Sequence, residues 1–190
     1  MTARFIVISG GPGSGKTSLI EYLGSLGYAT VPEAAIQIIE ELNRQHGIPG
    51  QIAFRYEHPI EFFHLIIRRQ AALEAACVAA KGSLVFCDRG RPDALAYAEL
   101  YDLPIDAELQ SHAQSQQYHR VFLLDTLSHF PERPDTGRTS DRSRSLRLFD
   151  LLDAAYRTQG YTPFRVPELP IVDRARLVLT ELGETKRPEL

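Results

Sequence analysis

The chain has 190 residues, 44% of them hydrophobic, which is enough apolar material for the core of one compact domain. Its net charge of −3 excludes the strongly basic field that nucleic acid or an anionic membrane would call for. Its two cysteines, Cys77 and Cys87, lack C-x-x-C spacing, and no apolar run approaches the roughly 18 residues of a membrane span. A reduced, cytoplasmic setting without signal peptide or membrane partner is therefore expected.

The continuously apolar run from Phe5 to Ser9 reads as a strand buried on both faces of a parallel sheet. It leads directly into Gly10-Gly11-Pro12-Gly13-Ser14-Gly15-Lys16-Thr17, a complete G-x-x-x-x-G-K-[ST] match. Leu19, Ile20, Leu23 and Leu26 then recur at helical spacing, so a helix over Thr17 to Leu26 follows the loop. A strand entering such a loop and a helix leaving it aim backbone N–H groups and a helix dipole at one point, where a polyphosphate binds. Gly11, Pro12, Gly13, Ser14, Gly15, Lys16, Thr17 and Ser18 are the expected nucleotide-binding set. Gly10, Gly13 and Gly15 are free to take φ > 0.

After Gly27, Tyr28 to Val31 reads as a second strand, and Ala34, Ala35, Ile38, Ile39 and Leu42 give helical spacing. Gly47, Pro49 and Gly50 mark Gln45 to Tyr56 as a loop. A long helix over about Pro59 to Ala80 precedes a strand over Ser83 to Cys87. A helix after Pro92 and a helical stretch over about Ala107 to Gln116 come before a fourth strand, Arg120 to Leu124. Ser145 to Gln159 is helical, Tyr161 to Val166 is a fifth strand, and Val172 to Leu182 closes the chain as a helix. Five strands alternating with helices predict an α/β fold: a doubly wound, mainly parallel sheet with helices on both faces and ligands at the carboxyl ends of the strands. One domain spans residues 1–182, with a polar tail at 183–190.

Phosphoryl transfer calls for metal positioning, neutralised charge and an oriented acceptor, so acids and arginines at strand ends carry the weight. Asp88, ending an apolar strand, fits the Walker B position and would hold Mg²⁺ together with Thr17, while Arg89 beside it would contact the acceptor. Glu33, after Val31-Pro32, reads either as a base for the acceptor hydroxyl or as a first-turn glutamate favoured by the helix dipole.

Arg133, Arg138, Arg142, Arg144 and Arg147 put five arginines in fifteen residues within a Pro- and Gly-containing segment, the pattern of a lid over about 131–147 that closes on the phosphates. Arg138 and Arg142 are the candidates for transition-state charge and Arg144 for nucleotide binding. Eighteen of the 21 basic residues are arginine, whose planar fork suits phosphate oxygens. Gln70 and Tyr97 are candidate acceptor contacts, since an amide and an aromatic ring suit a flat substrate. No histidine shows metal or triad spacing.

These segments together resemble the small AAA-like P-loop ATPases and kinases allied to nicotinamide riboside kinase domains, and more distantly thymidylate and deoxynucleoside kinases. The resemblance rests on Ile8 to Thr17, Val31 to Ala35, Phe86 to Gly90 with Asp93 and Tyr97, and Tyr156 through Gly160-Tyr161. It implies that Asp88-Arg89 matches the Asp-Arg of thymidylate kinases, that Arg138 to Arg147 is their lid, and that Glu33 is placed like the base of deoxynucleoside kinases. The Arg-Glu-Pro-Gly-Gly segment of thymidylate kinases is absent, so their acceptor does not carry over.

The function expected is an ATP- and Mg²⁺-dependent phosphotransferase for a small, nucleoside-like or nucleotide-like acceptor. The alternative is a regulatory ATPase whose conformational change a protein partner reads. The sequence leaves a homodimer open. No N-K-x-D follows the fourth strand, which favours ATP over GTP.

Overall fold

The computed structural model describes residues 3–77, 84–128 and 142–184. Its strands are β1 (Arg4–Gly10), β2 (Ala29–Val31), β3 (Leu84–Asp88), β4 (Arg120–Leu124) and β5 (Phe164–Val166), in the order β2-β3-β1-β4-β5. Every pairing is parallel, so the sheet is wholly rather than mainly parallel. The helices are α1 (Lys16–Ser25), α2 (Ala34–Glu57), α3 (Pro59–Cys77), α4 (Asp93–Leu100), α5 (Ala107–Gln114), α6 (Arg142–Thr158) and α7 (Ile171–Glu181).

Side chains alternate across a strand, and β1 sends Phe5 and Val7 to one face and Ile6 and Ile8 to the other. On the first face they join Val85, Val121 and Leu123 with Ala96 of α4 and Leu148, Leu152 and Tyr156 of α6. On the second they join Phe86 and Phe122 with Leu19, Ile20 and Leu23 of α1 and Ala175, Val178 and Leu179 of α7. Both faces are covered, which is why the strands read as unbroken apolar runs. β1 lies between β3 and β4, and the chain leaves it in opposite directions, so its carboxyl end is the switch point where a crevice opens.

The stretch from Gln45 to Tyr56 departs from the expected loop. It is helical, part of α2, and only Gly47 leaves helical geometry, with φ 68° and ψ 170°. Glycine tolerates that positive φ, and the chain resumes its helix at once. Pro49 then falls in the first turn of the new segment, where its missing N–H costs nothing. The apolar face continues across the break, as Phe54 packs with Ile38, Ile39, Leu42 and Phe62. The expected end of β5 also shortens, because pairing with β4 begins only at Phe164.

In α5, Leu109 and Ala113 pack on Ile67, Leu95 and Ala98, and His112 is buried beside them with no partner for its Nε2. Burial, then the neighbouring Arg91 charge, pushes its imidazole down to about 4, while Glu108 pulls weakly the other way. The unfolded chain takes up a proton near pH 6.5 that the native state refuses, so stability is intact above that pH and falls on acidification toward pH 4. Between pH 7 and pH 5, urea unfolding should show wild type losing about 2 kcal/mol relative to His112→Gln, the comparison removing the opposite contribution of buried groups such as Asp88. An equal loss in the variant would remove His112 as the cause.

Candidate active site

Between β1 and α1 the chain turns through three glycines with positive φ: Gly10 at 149°, Gly13 at 71° and Gly15 at 79°. Gly15 is the left-handed N-cap of α1, so the first N–H groups of that helix face the hollow of the loop without a side chain above them. Gly11 is fixed by space rather than by φ, since a Cβ there would collide with the Ser145 side chain of α6. Ser145 donates to Pro12 O at 2.8 Å and shares a 2.9 Å hydrogen bond with Thr126 Oγ1. The loop is therefore braced from α6 and from the exit of β4, where Leu127 N donates to Gly13 O at 3.1 Å.

Lys16 is buried, with Nζ donating to Gly11 O at 2.8 Å and to Ser14 Oγ at 3.3 Å. Burial, reinforced by the Arg89 charge, pushes its ammonium down to about 8. A buried cation so poorly solvated is primed to gain from an anion.

Parallel register places Asp88 of β3 opposite Ile8 of β1, beside the loop. Thr17 Oγ1 donates to Asp88 Oδ2 at 3.2 Å, while Asp88 Oδ1 is buried without a hydrogen-bond partner. Burial, with the Glu33 carboxylate nearby, pushes the Asp88 carboxyl up to about 6. A hydroxyl and a carboxylate with an unsatisfied oxygen fit Mg²⁺, a hard cation that binds through few protein oxygens and completes its shell with phosphates and water. Among the described residues no cluster of three or more His, Cys, Asp or Glu could hold a metal by itself.

Arg89 takes φ 80°, unusual for a residue with a Cβ, and its N–H donates to Ile8 O at 3.1 Å. Its guanidinium is buried, with Nε 3.2 Å from Glu33 Oε1 and NH1 3.3 Å from Asp93 Oδ2. NH1 also donates to Gly10 O at 3.4 Å, and the guanidinium carbon lies 4.9 Å from the centre of the Tyr97 ring. Glu33 is the N-cap of α2, but its side chain makes no capping hydrogen bond and turns to Arg89 instead. Glu33 thus stands at the helix start, where the dipole favours a carboxylate, and is paired with Arg89 as well, so both readings of Glu33 remain open.

Gln70 does not present its amide to an open cleft. Its Nε2 donates at 3.3 Å both to Glu74 and to Arg89 O, so it grips the backbone of the strained arginine from behind. Arg142 is the exposed first residue of α6. Arg144 lies with its guanidinium carbon 4.7 Å from the centre of the Tyr101 ring, at the end of α4. Arg138, like the expected lid over 131–141, lies outside the described residues, while the expected lid residues 142–147 form the first turns of α6, which starts three residues before the expected Ser145.

Asp93, to which the sequence alone attaches no site role, ties the site together. Its Oδ2 accepts from Ser9 at 2.7 Å and from Arg89, and its Oδ1 accepts from Tyr156 of α6 at 2.5 Å and from Gly90 N at 3.3 Å. Gly90 leaves room for this, because a Cβ there would stand 2.7 Å from Val7 Cγ2. The spacing of Asp93, four residues after Arg89 and at a helix start, is the signal that the sequence offers for it. Asp93→Ala should cost about 3 kcal/mol by removing one of the two carboxylates that enclose a buried guanidinium, together with the partner of Ser9 and Tyr156, and Tyr156→Phe about 1 kcal/mol by removing one hydrogen bond. Urea denaturation of both variants measures the contrast, and equal losses would contradict a hub centred on Asp93.

A family model described as an AAA domain matches residues 5–174. No curated protein matches. Among solved structures, the NadR protein in complex with NR aligns with TM-score 0.71 and 16% identity, over 99% of this chain and 53% of that one. The NadR protein in complex with NAD and AMP-PNP gives 0.66 and 13%, over 99% and 51%. This chain thus spans about half the length of the NadR protein. Thymidylate kinase from Ehrlichia chaffeensis gives 0.54 and 16%, over 96% and 100%. At these identities the likeness establishes a shared fold alone, and the family match over residues 5–174 makes this chain a member of that AAA domain family.

Proposed function

We propose that the protein transfers the γ-phosphoryl group of ATP to a hydroxyl or phosphate oxygen of a small, nucleoside-like or nucleotide-like acceptor. The observation that carries this reading is the meeting of two half-sites at one sheet edge. Lys16 and the Thr17–Asp88 pair form the donor half, and the buried Arg89–Glu33 pair forms the acceptor half directly beside it. A nucleotide switch needs only the first. Support comes also from the fold shared with the NadR protein in complex with NR and with thymidylate kinase.

In this mechanism the loop N–H groups and Lys16 hold the β and γ phosphates. Mg²⁺ bound through Thr17 and Asp88 supplies neutralisation of charge on the phosphate oxygens. With Asp88 committed to that pair, Glu33 accepts the proton of the acceptor hydroxyl. The acceptor oxygen then bonds to Pγ, the Pγ–O bond to the β phosphate breaks, and ADP leaves. Arg89, fixed by Asp93 and Tyr97, orients the acceptor. Arg138 and Arg142 stabilise the charge on the transferred group and Arg144 contacts the nucleotide, Arg142 and Arg144 from the first turn of α6.

A screen of ATP consumption against nucleosides, nucleotides and related alcohols, with product detected by mass spectrometry, tests the proposal. At least one acceptor should raise turnover above the rate with water. Slow hydrolysis indifferent to every acceptor would instead support the regulatory ATPase. Lys16→Ala should lower acceptor-dependent turnover by about 100-fold or more, and unchanged turnover would show that the loop does not serve the donor. Asp88→Asn should raise the Mg²⁺ concentration needed for half-maximal rate, read from a metal titration.

A further inference from the structure

Glu74 of α3 is 1% exposed and accepts three hydrogen bonds, from the Tyr118 hydroxyl at 2.6 Å, Arg91 Nε at 2.7 Å and Gln70 Nε2 at 3.3 Å. Taken alone, a buried carboxylate so fully paired is a fastening of the core. Its partners, however, converge on one short stretch of chain. The same Gln70 nitrogen donates to Arg89 O at 3.3 Å, and the Tyr118 hydroxyl accepts the Arg91 N–H at 2.8 Å. Each bond of Glu74 thus leads to the turn Arg89-Gly90-Arg91, which joins β3 to α4.

That turn needs holding. Arg89 sits at φ 80°, a region in which a residue with a Cβ stays only while its surroundings over-determine it. Its N–H is fixed from the sheet by Ile8 O at 3.1 Å, and its carbonyl by Gln70. Released at the carbonyl, the backbone would relax toward an ordinary φ and swing the Cα–Cβ bond, carrying the guanidinium away from Glu33 and Asp93. Both partners of the Gln70 nitrogen are acceptors, so Glu74 fixes which end of the amide faces Arg89 O. An amide at position 74 has one acceptor oxygen for three donors, and a donor must then face a donor. Asp88, one residue earlier, is held instead by the β1–β3 ladder, opposite Ile8.

We infer that Glu74 is a positioning residue of the acceptor half, acting through Gln70 to hold Arg89 in its strained backbone geometry while leaving the donor half untouched. This rests on the acceptor role proposed for Arg89, and its first readout needs no acceptor. The Arg89 Nε–H, buried against Glu33, should exchange slowly with water and give an NMR signal identified by its loss in Arg89→Lys. The test follows that exchange, ATP affinity by calorimetry with Mg²⁺, and kcat and KM for any acceptor the screen yields. Wild type is compared with Glu74→Gln and with Gln70→Met, which cuts the link without stranding a charge and serves if the first variant does not fold.

Both variants should speed the Arg89 Nε–H exchange about 10-fold or more and lower kcat/KM for the acceptor about 10-fold or more, as for a misplaced orienting group. ATP affinity should stay within about 2-fold. Unchanged exchange would overturn the inference, as would faster exchange with kcat/KM unchanged, since Arg89 would then be loosened without consequence for the acceptor. Parallel losses of ATP affinity and kcat/KM would also overturn it, reducing Glu74 to a fastening of the whole domain. Wild type that phosphorylates no acceptor would sink the kinase, and the exchange and ATP readouts would still decide whether Glu74 holds Arg89.

Discussion

The burial of one positive charge, on Arg89, organises this molecule. A guanidinium removed from water must be enclosed by anions and carbonyls, and here Glu33, Asp93 and Gly10 O provide them from three separate elements. The start of α2, the start of α4 and the end of β1 are thereby drawn to a single point. The positive φ of Arg89 is the local strain of bringing that side chain inward, and Gln70 from α3 secures the strained carbonyl. What looks like a cluster of functional residues is equally the fastening of four elements to one sheet edge.

The two halves of the site differ in their electrostatic design. On the donor side Lys16 is held at about 8 and Asp88 at about 6, each displaced toward neutrality by burial. Such groups gain most when a charged ligand arrives, because they begin without enough solvation. Arg89, by contrast, already has its counter-charges in Glu33 and Asp93, so its geometry is set before any ligand binds.

How much of this was legible depended on whether a feature is local in sequence. The strands, the loop and Asp88 could be read because each is a short pattern whose meaning comes from immediate neighbours. Gly10, Gly13 and Gly15 take the backbone region that the motif calls for. Residues whose role depends on distant partners could not be read. Asp93 meets Ser9 from 84 positions away and Tyr156 from 63. Glu74 meets Tyr118 across 44 and sits in an ordinary helix pattern. Gln70 was visible as an amide near the site, but only packing reveals that it serves Arg89 from behind. The α2 segment misled for a different reason: Gly47 does break the helix, yet tertiary packing of Phe54 outweighs the local signal and restores it.

The helix α6 touches the glycine-rich loop through Ser145 and Asp93, the anchor of Arg89, through Tyr156, about three turns and roughly 16 Å apart along one rigid axis. A single element therefore holds the two half-sites at a fixed separation, like the jaws of a gauge. Substitutions that tilt this helix to admit a larger acceptor would also shift the phosphate loop. Under the proposed function, new acceptor preferences are consequently more accessible through the start of α2, which carries Glu33 and pairs with Arg89 rather than with Pro12. Diversity of acceptor among proteins of this architecture should then accumulate on that side of the sheet, while the α6 face stays constant in shape.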